Sequence, residues 1–364
     1  MAGYAEIIKE FIGEKKILEC IPYGNGHIND TYRVTAEHEN KITRYILQKM
    51  NTNIFKQPDQ LMCNIFGVTG WLNKKLLEAG EDAARGTLNF IRTADGETYF
   101  RDHDGNCWRM CFFVEAATAL EQVRTEEDFY QSAVAFGRFQ RLLSDYPADS
   151  LFETIPDFHN TVNRVDNLKK AIKKNPEGRA EQVHQEIADI LSREDLSHIL
   201  IDLRSSGELP VRVTHNDTKL NNVMIDDQKN TGICVIDLDT VMPGLAAYDF
   251  GDAIRFGANT AVEDETDLEK VSCDLKLFEI YVKGFIEGCG GALTKTELET
   301  LPLGAMTMTY ENAVRFLTDY LEGDVYFKIH RPDHNLDRCR NQLALLADME
   351  KKKPEMDRIV ANYI

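Results

Sequence analysis

The chain has 364 residues, 43% of them hydrophobic and 28% charged, enough to bury a sizeable core in more than one lobe. Its formal net charge of −18 repels phosphate backbones and anionic lipid surfaces, which argues against nucleic-acid and membrane partners. No run reaches membrane-spanning length, the opening "MAGYAEIIKEFIGEKK" lacks the apolar block of a secretion signal, and the eight cysteines show no zinc-knuckle spacing. A soluble, cytoplasmic protein with reduced thiols is the expectation.

Along the chain, Tyr4, Ile7, Ile8, Phe11 and Ile12 recur at helical spacing and predict an amphipathic first helix. Three β-like runs follow at 17–23, 31–35 and 44–50, and Leu61, Ile65, Val68, Leu72 and Leu76 then mark a helix. Two further β runs, 87–93 and 107–115, flank a stretch with Asp95-Gly96 and Asp104-Gly105 turns. Beyond about residue 116 the texture changes to long periodic segments at 125–144, 181–203, 265–288, 296–323 and 335–353. Short β runs at 211–215, 222–226 and 232–237 interrupt them. The pattern predicts an α+β protein with a sheet-rich lobe over 1–115 and a mainly helical lobe over 116–364.

The chemistry concentrates in "THNDTKLNNVMID" (214–226) and "VIDLDTVMPGLAAYDFGDAIRF" (235–256). Phosphoryl transfer to a hydroxyl needs one carboxylate to orient the hydroxyl, and an amide with a second carboxylate to hold Mg²⁺ against the phosphates. Asn222 stands five residues after Asp217, the spacing of a kinase catalytic loop, and Asp237 follows twenty residues after Asp217 at the end of a β run. An isolated Asp or Asn between strands is usually a turn residue; the joint spacing carries the reading. Between the first two β runs, "GNGHIN" offers Gly24, Gly26, His27 and Asn29 where a glycine-rich loop would cover phosphates, although G-x-G alone also describes a hairpin turn.

These motifs, with "PYGNGHIN", "YILQKMNTNIF", "IDLDTVMPG", "DFGDAIRFGA" and "RFLTDYLEGDVYF", resemble the aminoglycoside phosphotransferase/choline kinase family of the protein-kinase-like fold. Within it they are most similar to the N-acetylhexosamine 1-kinases, over Pro22 to Phe327. The resemblance implies a two-lobed kinase with ATP and Mg²⁺ as cofactors and the anomeric hydroxyl of N-acetylglucosamine or N-acetylgalactosamine as acceptor. It makes Asp217 the catalytic base and Asn222 and Asp237 metal ligands. Asp239 adds a metal or water contact, and Lys219 a contact to the transferred phosphoryl. The first lobe becomes nucleotide-binding, with Val114 and Glu115 presenting backbone to adenine. Arg315 and Tyr326 become sugar-binding residues. Asp249, past a Pro243-Gly244 turn where a helix should begin, is then a structural brace for the catalytic loop and not the metal aspartate that "DFG" suggests.

Two departures stand out. "YILQ" puts Gln48 where a kinase strand carries lysine, Lys49 points to the other face, and the helix that should supply a glutamate has Phe66 and Gly67 there. "FHNTVNR" (158–164) carries Asn160 and Val162 where the sugar kinases carry Asp and Pro. In "AVRFLTDYLEGDVYF", Phe316, Leu317, Tyr320 and Leu321 fall on a core face, leaving Arg315, Asp319 and Asp324 as surface charges. Two alternatives follow: a kinase of the same fold for choline, homoserine or an aminoglycoside, and a non-catalytic ATP-binding protein.

Overall fold

The computed structural model describes residues 4–24 and 28–364; Gly26 and His27 of the glycine-rich stretch lie outside the described residues. In chain order, α1 (Ala5–Ile12) precedes β1 (Lys16–Pro22), β2 (Asp30–His38) and β3 (Lys41–Met50). Next come α2 (Pro58–Glu78), α3 (Ala83–Gly86), β4 (Phe90–Ile91), β5 (Phe100–Arg101), β6 (Cys107–Phe112) and β7 (Ala117–Ala119). Helices α4 (Glu126–Leu142), α5 (Thr161–Lys174), α6 (His184–Leu191) and α7 (Leu196–Ser205) lead to β8 (Arg212–Thr214), β9 (Val223–Asp226), β10 (Gly232–Val235) and β11 (Met242–Gly244). The chain ends with α8 (Ala246–Gly257), α9 (Leu275–Cys289), α10 (Lys295–Glu299), α11 (Leu301–Glu322) and α12 (His334–Ala361).

The chain divides into two compact units. The first comprises Met1–Ala119, Asp145–Pro156 and Val223–Met242; the second comprises Leu120–Ser144, Asp157–Asn222 and Pro243–Ile364. Whereas the sequence reading divides the chain at 115/116, β9 and β10 go with the first unit because β7 pairs antiparallel with β9, in the order β10-β9-β7.

The main sheet of the first unit runs β1-β2-β3-β6-β4 with β5 also on β6, all antiparallel. Strand alternation gives it two faces. One face, with Val34, Ala36, Tyr45, Leu47, Trp108 and Met110, packs on Ile7, Ile8, Phe11 and Ile12 of α1. The other carries Thr31, Gln48 and Arg109 as direct cross-strand partners. Near β7, Val114 is buried with Ala117, Met224 and Cys234, and Arg85 bonds the Glu115 and Ala116 carbonyls at 2.9 and 2.8 Å while pairing with Asp226 at 2.9 Å.

The second unit is helical. Helix α11 is buried along most of its length and packs against α8, α12 and α5. Close crossings need glycine: a Cβ on Gly251 of α8 would lie 2.3 Å from the Gly304 carbonyl oxygen of α11, and one on Gly304 would lie 2.3 Å from the Ala247 oxygen. Helix α4 opens with a Thr125–Asp128 capping box and α5 is N-capped by Asn160, so the asparagine of "FHNTVNR" satisfies a helix terminus as an aspartate would. The segment read as one helix over 181–203 is two, α6 and α7, separated at 192–195, and the segment at 265–288 becomes a helix only from Leu275. All eight cysteines are free thiols. Among the described residues no helix is long and apolar enough to cross a membrane.

Candidate active site

In the second unit, the loop after β8 holds Asp217, Lys219 and Asn222 together. Asn222 Nδ2 donates to the Asp217 carbonyl at 2.8 Å and to its carboxylate at 3.2 Å, from a short 3₁₀ turn over Leu220–Asn222. Lys219 Nζ lies 2.8 Å from Asp217 Oδ1, with 34% and 29% of the two side chains exposed. Burial opposes ionisation of Asp217, but the Lys219 ammonium, the His215 ring and the Asn222 amide outweigh it and hold the carboxyl below the ordinary aspartate value. Asp217 in turn pushes the Lys219 ammonium well above the ordinary lysine value. Both groups are charged at neutral pH.

The loop is held from α8. Asp249, buried in its first turn, accepts from the backbone N–H of His215 at 3.0 Å and of Asn216 at 2.8 Å, and from Gln140 Nε2 at 2.7 Å. Burial pushes this carboxyl above the ordinary aspartate value, against the pull of His215 and the three N–H donors. One turn on, Asp252 accepts from Thr218 N–H at 3.2 Å and pairs with Arg255, which also meets Glu263. Asp249, Asp252 and Arg255 therefore recur every three residues on the helix face that fixes the loop. Asn216 takes φ +65°, a costly conformation for a side-chain-bearing residue, which these bonds over-determine. His215 is buried edge-on to Phe136 and Phe139, a bracing position. The "DFG" triplet is thus architectural: Asp249 braces, Phe250 packs on Phe278, Tyr281 and Phe285, and Gly251 permits the crossing with α11.

In the first unit, Asp237 lies two residues past the end of β10, at φ +58°, and starts a 3₁₀ turn over Leu238–Thr240. A left-handed residue cannot continue a ladder, which is why the strand stops short of it. Asp239 is 3% exposed. One carboxylate oxygen takes Arg109 Nη1 and the other takes Asn29 Nδ2 at 2.6 Å. Arg109 Nε donates to Gln48 Oε1 at 2.9 Å, and Gln48 Nε2 donates to Thr31 Oγ1 at 3.1 Å. Burial opposes the Arg109 charge, and the Asp239 carboxylate, with Asp237 near it, more than restores it. No glutamate from α2 enters this row: Phe66 sits 6.0 Å from the Phe90 ring, under the Arg92 guanidinium. Asn29 also accepts from Asn51 N–H at 2.9 Å, and Gly24 has φ +77°. Arg109 escaped the sequence reading, although an arginine within the otherwise apolar run "CWRMCF" was a signal that a buried partner exists.

Arg315 and Tyr326 come together in the second unit. The Arg315 guanidinium lies 5.3, 5.6 and 6.0 Å from the Phe327, Phe158 and Tyr326 ring centroids. Tyr326 is 60% exposed, but its backbone is fixed. Asp319 accepts from the N–H of Val325, Tyr326 and Phe327 at 2.9, 2.7 and 3.0 Å and from Asn335 Nδ2 at 2.8 Å. Asp319 is therefore a buried anchor and Asp324 a half-buried one, its carboxylate paired with Arg179 at 2.6 Å, and neither is the surface charge the periodicity suggested. Nearby, His159 Nδ1 donates to the buried Glu311 carboxylate at 2.8 Å, and its buried Nε2 has no hydrogen-bond partner among the described residues.

The donors present fit Mg²⁺. In the second unit the Asn222 amide nitrogen is spent on Asp217, which leaves its amide oxygen for a cation, and in the first unit Asp237 carries a carboxylate; each is a hard oxygen donor of the kind Mg²⁺ takes. Among the described residues no three His, Cys, Asp or Glu side chains form a pre-built cage.

Solved structures share this architecture. A choline kinase from Cryptosporidium parvum Iowa II is 12% identical, with 94% of this chain and 92% of that one covered and a TM-score of 0.59. An aminoglycoside phosphotransferase from Alicyclobacillus acidocaldarius gives 13%, 98%, 95% and 0.56. A spectinomycin phosphotransferase in complex with ADP and spectinomycin gives 15%, 100%, 98% and 0.53. The shared fold is protein-kinase-like, with an antiparallel-sheet N-terminal lobe and a helical C-terminal lobe. Residues 19–270 match the model of the phosphotransferase enzyme family, and the chain belongs to that family.

Proposed function

We propose that the protein is an ATP-dependent kinase that phosphorylates the anomeric hydroxyl of an N-acetylhexosamine, giving the sugar 1-phosphate and ADP. The observation that carries the phosphotransfer is the Asp217 loop, in which an ionised carboxylate, an ammonium and an amide are locked by α8. Family membership and a relative holding ADP support a nucleotide donor and a small acceptor.

The sugar oxygen O1 forms a bond to the γ-phosphorus as the bond from that phosphorus to the β,γ-bridging oxygen breaks, and ADP leaves with the electron pair. The hydroxyl proton passes to the Asp217 carboxylate. Because that carboxyl sits low, Asp217 orients the hydroxyl first and takes the proton late, when bonding to phosphorus has made it acidic. Lys219, paired with Asp217 beforehand, neutralises charge on the moving phosphoryl group. Asn222 and Asp237 would hold Mg²⁺; Asp239, whose two carboxylate oxygens accept from Arg109 and Asn29, positions the turn that carries Asp237. When bound, the metal neutralises charge on the phosphate oxygens. Gly24 and Asn29 flank the phosphates. Adenine meets Val114 and Glu115; the Glu115 carbonyl is taken by Arg85, so its N–H is the group offered.

Arg315 and Tyr326 support the sugar reading, since a guanidinium and a phenol bond hydroxyls and an acetamido carbonyl. The cationic groups of this patch, Arg315 and Arg164, disfavour choline and aminoglycosides, which bring positive charge of their own. Gln48 in place of lysine supports the rival reading of a non-catalytic nucleotide binder. The test is Mg²⁺-dependent ADP release with N-acetylglucosamine, N-acetylgalactosamine, glucose, choline, homoserine and kanamycin. Turnover confined to the N-acetylated sugars supports the proposal, and turnover confined to another alcohol rejects its acceptor.

A further inference from the structure

A kinase nucleotide site needs a fixed cation on the phosphates and an acid to hold that cation in place. Here β3 supplies Gln48 instead, and α2 supplies no acid at that level. Gln48 is directly opposed by Arg109 of β6, one strand spacing away, and the two side chains are bonded. Arg109 is 2% exposed and its partner Asp239 3%. A buried ion pair is no more stable than an apolar pair of the same volume, so stability alone does not account for it. The guanidinium also has informative neighbours. Asp239 is two residues from Asp237, and Asn29, on its other carboxylate oxygen, closes the segment that begins at Gly24.

We propose that Arg109 is the phosphate-binding cation of the nucleotide site, moved from β3 to the neighbouring strand, with Asp239 of the metal-binding turn as the acid that holds it. The proposal rests on the nucleotide-kinase reading above and deepens it. The strand-to-helix clamp of protein kinases becomes a strand-to-turn clamp. Cation and metal carboxylate are then positioned by one connected row, Thr31–Gln48–Arg109–Asp239–Asn29. Asp239 is in this account a positioning residue. With Nε given to Gln48 and Nη1 to Asp239, Nη2 is the donor offered to phosphate oxygens.

The test is equilibrium binding of fluorescent ATP and of adenosine, each with Mg²⁺ and with EDTA, to the full chain and its variants. Arg109→Gln is expected to weaken ATP binding on the order of ten- to a hundred-fold in both buffers while changing adenosine affinity less than about threefold. Gln48→Lys in the Arg109→Gln background, which returns the cation to β3, is expected to recover most of that loss. Equal losses for ATP and adenosine, or no loss, would overturn the proposal. Should Arg109→Gln fail to fold because Asp239 is left unpaired, Arg109→Gln/Asp239→Asn removes both charges and is read by the same criteria. A wild-type chain that binds no nucleotide would instead overturn the kinase reading itself.

Discussion

At the scale of single residues, Asp217 is the position on which the proposed chemistry turns. Asp217→Asn removes the proton acceptor but keeps the shape, so kcat should fall on the order of 10²- to 10⁴-fold with ATP affinity changed little; retained turnover would take the residue out of that role. Its pH behaviour follows from its partners. The depressed carboxyl contributes stability above the ordinary value of 3.8, lost as pH falls through the lower folded value. The raised ammonium contributes stability below 10.5, lost as pH rises through the higher folded value. The ion pair is therefore complete across the neutral range, and the acid limb of kcat/KM assignable to Asp217 lies below the ordinary aspartate value. Lys219→Met should move that limb upward, a shift that pH–rate profiles of the two proteins detect and a merely structural lysine would not produce. The meeting of Asp217 with Asn222 was legible in sequence because they lie five residues apart in one loop. Arg109 was not, because its partner is 130 positions away. Asp319 reads as a surface charge for a similar reason: its ligands are the backbone N–H groups of a turn, and backbone leaves no letter in a sequence.

At the scale of elements, α8 joins stability to function. Its Asp249 orders the catalytic loop and its Gly251 admits α11. Gly251→Ala puts a methyl against a backbone oxygen that cannot swing away, and is expected to destabilise the fold by roughly 1–3 kcal/mol, read as a lower melting temperature. An unchanged melt would show that the crossing has slack. Asp249→Asn replaces an acceptor oxygen with a donor facing backbone N–H groups, so kcat should fall although the residue touches neither substrate; ATP binding is the control. Long amphipathic helices were readable, as were the first three strands. Helix α5 was missed because "TVNRVDNLKKAIKK" opens with poor helix formers, and its cap, Asn160, supplies the start that periodicity does not. The stretch over 181–203 read as one helix because its apolar period survives the break at 192–195, where the chain turns and resumes.

At the scale of the whole molecule, the order of a sheet-rich part followed by a helical part could be read from changing periodicity. The membership of 223–242 in the first unit could not, because it depends on β7 pairing with β9 across more than a hundred residues. At a charge of −18, binding of anionic ATP would depend on local cations, which gives the roles proposed for Lys219 and Arg109 their weight. In the proposed acceptor patch, Arg315→Ala should raise the sugar KM about tenfold or more while leaving the ATP KM unchanged, since one charged hydrogen bond would be lost at the acceptor alone. The central claim is transfer of phosphate from ATP to an anomeric hydroxyl by the Asp217 loop. The most direct measurement is ³¹P and ¹H NMR of the product formed from MgATP and N-acetylglucosamine or N-acetylgalactosamine, with Asp217→Asn alongside. The account predicts phosphate on C1 and none formed by the variant. Phosphate on another carbon, or equal product from both proteins, would contradict it.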